Sequence, residues 1–107
     1  MYNSSKLIPA GLQGLDTATL TGGLDPLGTP TTESTRIYWL SNQSNVALTF
    51  FWNNTPILVL PAGAFFLLDV SANRETSNIL EIPAGTQTGV AGNAGIGFVF
   101  LSTFYAG

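Results

Sequence analysis

Three copies of one tetrapeptide punctuate this chain: Ile8-Pro9-Ala10-Gly11, Leu60-Pro61-Ala62-Gly63 and Ile82-Pro83-Ala84-Gly85. The last two belong to a longer match, in which Ile57 to Gly63 realigns with Ile79 to Gly85. In each copy aliphatic β-formers run into a proline whose φ is preset for the second position of a type I turn. The glycine two residues on suits the fourth position. Each unit is expected to be a strand end, a tight turn and a new strand. Such units at short spacing predict a compact all-β domain with many strands.

Charge is the second constraint. The 107 residues hold 3 basic and 6 acidic side chains, 8% of the chain, against about 25% in an average globular domain. No charged residue occurs from Ile37 to Leu68, nor from Ile82 to Gly107. Soluble surfaces are normally kept apart by charge, so a surface this neutral points to a chain covered by other subunits. The competing reading is a neutral domain coated in Asn, Ser and Thr. The net charge of -3 argues against nucleic acid as a partner. The most apolar run, Pro56 to Leu68, is broken by Pro61 and Gly63 and is too short for a helical membrane span. Met1 to Lys6 lacks the apolar core of a signal peptide.

Residues 1–35 differ from the rest. They are rich in Thr, Gly and Pro and are expected to form an extended N-terminal arm with at most one short strand, near Thr17 to Thr21. Residues 36–107 are expected to form the domain. Strands are predicted at Ile37 to Leu40, Val46 to Trp52, Ile57 to Leu60, Ala64 to Val70, Ile79 to Ile82, Thr86 to Val90 and Ile96 to Tyr105, with Ser41 to Asn45 as a polar loop. Hairpins are expected around the second and third Pro-Ala-Gly units. Seven or eight strands without a helix predict a two-sheet sandwich, with the jelly roll favoured. In the closing strand Ile96, Phe98, Phe100, Ser102 and Phe104 are expected to fill the core. Val99, Leu101 and Tyr105 would then face outward.

Little in the chain suggests chemistry. There is no cysteine and no histidine, which removes thiolate and imidazole ligands and the commonest general base. Asp69 and Glu81 could pair as acid and base, but nothing around them supplies an oxyanion hole, and strand-end surface carboxylates are the better reading. No catalytic residue, cofactor or metal is expected. Tyr38, Trp39, Trp52 and Tyr105 beside Asn-rich loops could stack on sugars; aromatics inside strands more often pack in cores and interfaces. Gly89 to Gly97 is glycine-rich but no helix follows it, so it is no phosphate loop. The Asn3, Asn42 and Asn53 triplets fit the glycan acceptor rule, incidentally in a chain without a secretory signal.

From Arg36 to Tyr105 the chain resembles small structural proteins of tailed bacteriophages. The resemblance lies in the Ser41-Asn42-Gln43-Ser44 corner and in the Leu60-Pro61-Ala62-Gly63 turn leading into Phe65-Phe66-Leu67-Leu68-Asp69-Val70. It continues in Ile82 to Gln87 and in the ending Gly97 to Tyr105. Proteins of this kind include jelly-roll cement, or decoration, proteins that staple major capsid subunits on the outside of the shell. The resemblance implies a non-enzymatic role on the virion surface, with the major capsid protein and further copies of the chain, as dimer or trimer, for partners. The interface residues expected on this reading are Tyr2, Leu7, Ile8, Leu20, Leu24, Arg36, Trp39, Arg74, Val99, Leu101 and Tyr105. A head–tail connector, tail or fibre-base component is the alternative within phages, and a carbohydrate-binding jelly-roll module the alternative outside them.

Overall fold

The computed structural model describes residues 7–69 and 82–106. Eight strands follow one another: β1 (Leu7–Asp16), β2 (Leu24–Pro26), β3 (Thr35–Ser44), β4 (Leu48–Trp52), β5 (Thr55–Leu60), β6 (Phe65–Asp69), β7 (Thr88–Ala91) and β8 (Gly97–Ala106). One 3₁₀ turn, Thr17–Thr19, follows β1 and is capped by the Asp16 carboxylate, which accepts from the Ala18 N–H at 3.0 Å. The strands form two four-stranded sheets in the orders β1-β8-β3-β6 and β2-β7-β4-β5. Every pairing is antiparallel. The paired strands include 4 with 5, 3 with 6, 2 with 7 and 1 with 8, the pattern of one long hairpin rolled up on itself. That is the jelly-roll path through a two-sheet sandwich.

The tip of that hairpin is the β4–β5 turn. Asn53 and Asn54 both have positive φ, 50° and 71°, and Trp52 pairs with Thr55 across them. A two-residue turn of this hand matches the twist of its strands, and asparagine tolerates the conformation. Pro56 lies in β5, an edge strand, where a missing N–H is tolerated.

The Pro-Ala-Gly units have different fates. In the second, the Ala64 N–H donates to the Pro61 carbonyl at 3.1 Å. Proline therefore occupies the first turn position, and Gly63 the third, with φ +82°. A glycine is needed there because only it adopts that φ without strain. The turn is not a hairpin: β5 and β6 lie in different sheets, and the unit carries the chain over the sandwich edge. In the third unit Gly85 also has positive φ, 89°, but Ile82 pairs with Thr35 and β7 with β2 and β4. The first unit is no turn. It sits inside β1, where the register shifts between Pro9 and Gly11 and Gly11 has φ +116°, a bulge that admits one extra residue.

The expected loop at Ser41 to Asn45 is mostly strand, because β3 runs on to Ser44. Asn42 explains this. Its backbone N–H donates to the Ala64 carbonyl at 2.8 Å, and its carbonyl accepts from the Gly63 N–H at 2.9 Å. Its side-chain amide donates to the carbonyls of Val46, Leu60 and Pro61 at 2.9, 3.0 and 3.2 Å. Its Oδ1 accepts from the Ser44 N–H and hydroxyl at 3.1 and 2.6 Å. A fully buried amide with all its groups satisfied pins three chain segments together.

The core contains Leu20, Leu27, Tyr38, Leu40, Leu48, Phe50, Leu60, Ile82, Val90, Val99 and Leu101. Leu20 and Leu27 correct the expectation of an arm with at most one short strand. The segment from Leu7 to Pro26 supplies β1 and β2, one strand to each sheet; Leu20, between the two strands, and Leu27, just after β2, are buried. The short strand expected at Thr17 to Thr21 is the 3₁₀ turn and its exit.

The closing strand is inverted with respect to expectation. Val99, Leu101 and Thr103 are buried, whereas Phe98 is exposed and Phe100, Ser102 and Phe104 are half-buried on the other side. Both faces of β8 are apolar, so alternation alone could not choose between them, and a slip of one residue exchanges the faces completely. Packing decides. Tyr38 and Phe50 already occupy the space between the sheets, and the smaller side chains of β8 fit beside them. Period-two alternation over Val46 to Trp52 puts Val46, Leu48, Phe50 and Trp52 on one face, and that face is inward: Leu48 and Phe50 are buried, and Val46 and Trp52 pack against the core. The predicted strand at Ile79 to Ile82 and the acid–base partner Glu81 lie outside the described residues, except for Ile82.

Candidate interaction surface

The inversion of β8 turns three phenylalanines onto the outside of the β1-β8-β3-β6 sheet. The register lays that outer face out in rows. Leu12, Ser102, Trp39 and Leu67 stand side by side, one from each strand. The next row is Gly14, Phe100, Ser41 and Phe65, and beyond it come Asp16, Phe98 and Gln43. On the other side of Trp39 lie Pro9, Phe104, Ile37 and Asp69. Residues two apart on a strand share a face, so these are one surface.

Its large side chains are open. Leu12 is 68% exposed, Trp39 46%, Phe65 64%, Leu67 55% and Phe98 48%. The Phe98 and Phe100 rings stack with centroids 6.0 Å apart and planes at 17°. Phe100 leans over β1, where a Cβ on Gly14 would stand 3.1 Å from its ring. Between Leu12 and Trp39, over β8, the face hollows into a cleft of about 450 Å³ lined also by Ser41, Gln43, Phe100 and Ser102. The Gln43 amide there donates to the Ser41 hydroxyl at 3.2 Å. The only charged residues in the four rows are Asp16 and Asp69, at two corners. Scattered surface apolar residues are ordinary, but here the apolar patch is contiguous, aromatic on β8, β3 and β6 and aliphatic at Leu12 on β1, the kind of surface that interaction sites use.

The opposite face, on β2-β7-β4-β5, is smaller. Its row Leu24, Ala91, Thr49 and Val59 exposes Leu24 and Val59.

Of the expected interface residues, Trp39 alone belongs to the rows of the large face. Val99, Leu101 and Leu20 are core. Leu24 belongs to the opposite sheet. Arg36 is half-buried at the β3 register shift. Ile8 pairs with Tyr105 near one end of the sheet, both half-buried, and Leu7 pairs with Ala106. Tyr2 and Arg74 lie outside the described residues. Leu12, Phe65, Leu67 and Phe98 were missed. Phe65 and Leu67 alternate within a charge-free strand, which was a usable signal; for Leu12 there was none.

The aromatics weighed as a sugar platform separate. Tyr38 is buried, and Trp52 meets it edge-on with centroids 5.3 Å apart and planes at 80°. The Tyr38 hydroxyl shares a buried hydrogen bond with Thr88 Oγ1, joining the two sheets, and burial pushes its pKa above the usual 10.0. Only Trp39 remains open to a ligand, with Tyr105 half-buried elsewhere. Among the described residues no group of three or more Asp or Glu stands together as a metal site would require.

Comparison with known proteins gives no match to a family model and no significant match to a curated protein or a solved structure. The fold and the outer face are therefore the ground for a functional reading.

Proposed function

We propose that this protein is a non-enzymatic structural component of a phage virion, a capsid cement protein that works by being covered. The observation that supports the reading is the apolar outer face of the β1-β8-β3-β6 sheet, which offers aromatic contact area and almost no charge. Such a face loses free energy when water leaves it, at about 25 cal/mol per Å². A protein that binds only the assembled shell stabilises it by mass action, and many weak contacts in parallel add up. The resemblance of Arg36 to Tyr105 to small phage structural proteins directs this reading to the capsid surface and to the major capsid protein.

The test is abundance and place. Quantitative mass spectrometry of purified particles of the encoding phage, with gold labelling of the protein, should give hundreds of copies spread over the head. A handful of copies at the neck would favour the connector or tail alternative, and absence from the particle would overturn the proposal.

One observation favours a second reading, a carbohydrate-binding module. The Trp39 cleft pairs an open indole with the hydroxyls of Ser41 and Ser102 and the amide of Gln43. Binding on a glycan array that is lost in Trp39→Ala would support it.

A further inference from the structure

We infer that a polar hollow between the two sheets, under β1, is a water-binding site. It holds about three ordered waters, anchored on the Thr103 hydroxyl, that join β1 and β8 to the opposite sheet. The site is separate from the apolar outer face and independent of the capsid reading.

The hollow grows out of the register. Gly11 pairs with Thr103, and Thr103 with Tyr38. Gly11 brings no side chain to this row and Thr103 a short one. Across the sandwich the chain after β2 runs alongside the chain leading into β7. The Leu27 N–H donates to the Thr88 carbonyl at 2.9 Å, and the Thr31 N–H to the Thr86 carbonyl at 3.0 Å. Between these two layers lies a space of about 90 Å³, with Gln13, Thr31, Thr86, Thr88 and Thr103 in its wall. Thr86, Thr88 and Thr103 are buried, Thr103 to 7% exposure.

The bonding capacity of the wall is only partly used. The Thr88 hydroxyl is engaged with Tyr38. The Thr86 and Thr31 hydroxyls both donate to the Pro83 carbonyl, at 2.7 and 3.1 Å, and Thr31 also accepts from the Thr86 N–H at 3.1 Å. Each hydroxyl oxygen keeps a lone pair for a further donor. The Gln13 amide donates to Thr29 Oγ1 at 3.3 Å, which leaves its carbonyl oxygen to accept. The Thr103 hydroxyl has no hydrogen bond to any described residue, although it is more than nine-tenths buried. A buried hydroxyl left without a partner is costly. Water supplies what this wall lacks: it accepts from Thr103 and donates to Thr86, Thr31 or Gln13.

Other occupants fit less well. Empty cavities are apolar, and this one is walled largely by hydroxyls. At about 90 Å³ it is far below the roughly 300 Å³ at which small-molecule pockets begin. No carboxylate lines it, so a divalent cation would meet no opposite charge. At roughly 30 Å³ per molecule, about three waters fill it. They also account for how β1 is held. None of the side chains from Ile8 to Asp16 is buried, so the inner face of β1 rests on the Gln13–Thr29 bond and on this cluster rather than on apolar packing.

The experiment uses the full chain. A crystal structure at about 1.3 Å, grown and frozen without polyols, should show about three separate water peaks in the hollow, one of them about 2.8 Å from Thr103 Oγ1. In solution, oxygen-17 relaxation dispersion should count about three long-lived waters. Thr103→Val keeps the shape of the side chain and removes the hydroxyl; it should lose the peak beside position 103 and lower the dispersion amplitude by at least one water. An empty hollow in the parent, a Thr103 hydroxyl turned onto a protein carbonyl, or density for an adventitious additive only overturns the inference. So does a parent without long-lived waters, or a folded Thr103→Val that keeps the same peaks and amplitude. Should Thr103→Val not fold, the parent's map and dispersion decide alone.

Discussion

The inverted closing strand can be tested with neighbouring substitutions on its two faces. Leu101 is 4% exposed and pairs with Leu40, itself fully buried. Leu101→Ala removes three carbon atoms from a packed core and leaves a void, at a cost of about 2–5 kcal/mol. Phe98 loses a larger side chain but from a half-exposed site. Full burial of such a ring is worth about 1.5–3 kcal/mol, so half of that, with the stack on Phe100, puts Phe98→Ala at about 1–2 kcal/mol. Leu101→Lys is worse than Leu101→Ala, since it buries an unpaired charge, and should leave little folded protein when total stability is about 5–15 kcal/mol. Urea unfolding followed by tryptophan fluorescence gives these differences as shifts in midpoint at constant slope. The reasoning is refuted if Phe98→Ala costs as much as Leu101→Ala, or if Leu101→Lys folds like the parent.

Asn42→Ala removes the amide's bonds to the Leu60 and Pro61 carbonyls and to the Ser44 N–H, while the Ser44 hydroxyl and the Val46 carbonyl keep each other; at about 1–3 kcal/mol per buried unsatisfied group it should cost about 2–4 kcal/mol in the same unfolding experiment, against about 1 kcal/mol for Ser44→Ala. Because the Tyr38 pKa is raised by burial, its contribution to stability is intact below pH 10 and is lost as pH rises through the folded-state value. Tyr38→Phe should therefore flatten the alkaline fall in melting temperature while lowering stability at neutral pH by about 1 kcal/mol through the lost Thr88 bond. Gly63→Val forces a β-branched residue to φ +82° and should cost about 1–3 kcal/mol, with yield of folded protein and urea midpoint as the readouts.

How far the sequence could be read depended on which pattern carried unique information. The all-β sandwich was legible because Pro-Ala-Gly units and alternating runs admit few other folds, and the Val46 to Trp52 faces followed from period-two alternation. The Pro-Ala-Gly unit itself was ambiguous: the same letters serve as a bulge at Gly11 and as sheet-to-sheet corners at Gly63 and Gly85, since glycine only permits positive φ and tertiary contacts decide its use. Asn42 looked like a loop residue because its value lies largely in partners up to 22 positions away. The N-terminal segment looked like an arm because two leucines, Leu20 and Leu27, do the burying and composition averages them away. The outer face was anticipated as a property of the chain, through its missing charge. Its residues were mostly missed, because β8 is apolar on both sides and a pattern of period two cannot tell inside from outside when both alternatives are greasy.

The central claim is that the outer face of the β1-β8-β3-β6 sheet is covered by protein when this chain is at work. The most direct measurement is co-sedimentation of the parent and of a Leu12→Lys, Leu67→Lys variant with DNA-free heads of the encoding phage, after circular dichroism has shown both to be folded. The account predicts that the parent saturates the heads at hundreds of copies and that the variant, with two charges placed in the apolar rows, stays in the supernatant. A folded variant that pellets with the heads to the same occupancy as the parent would contradict it.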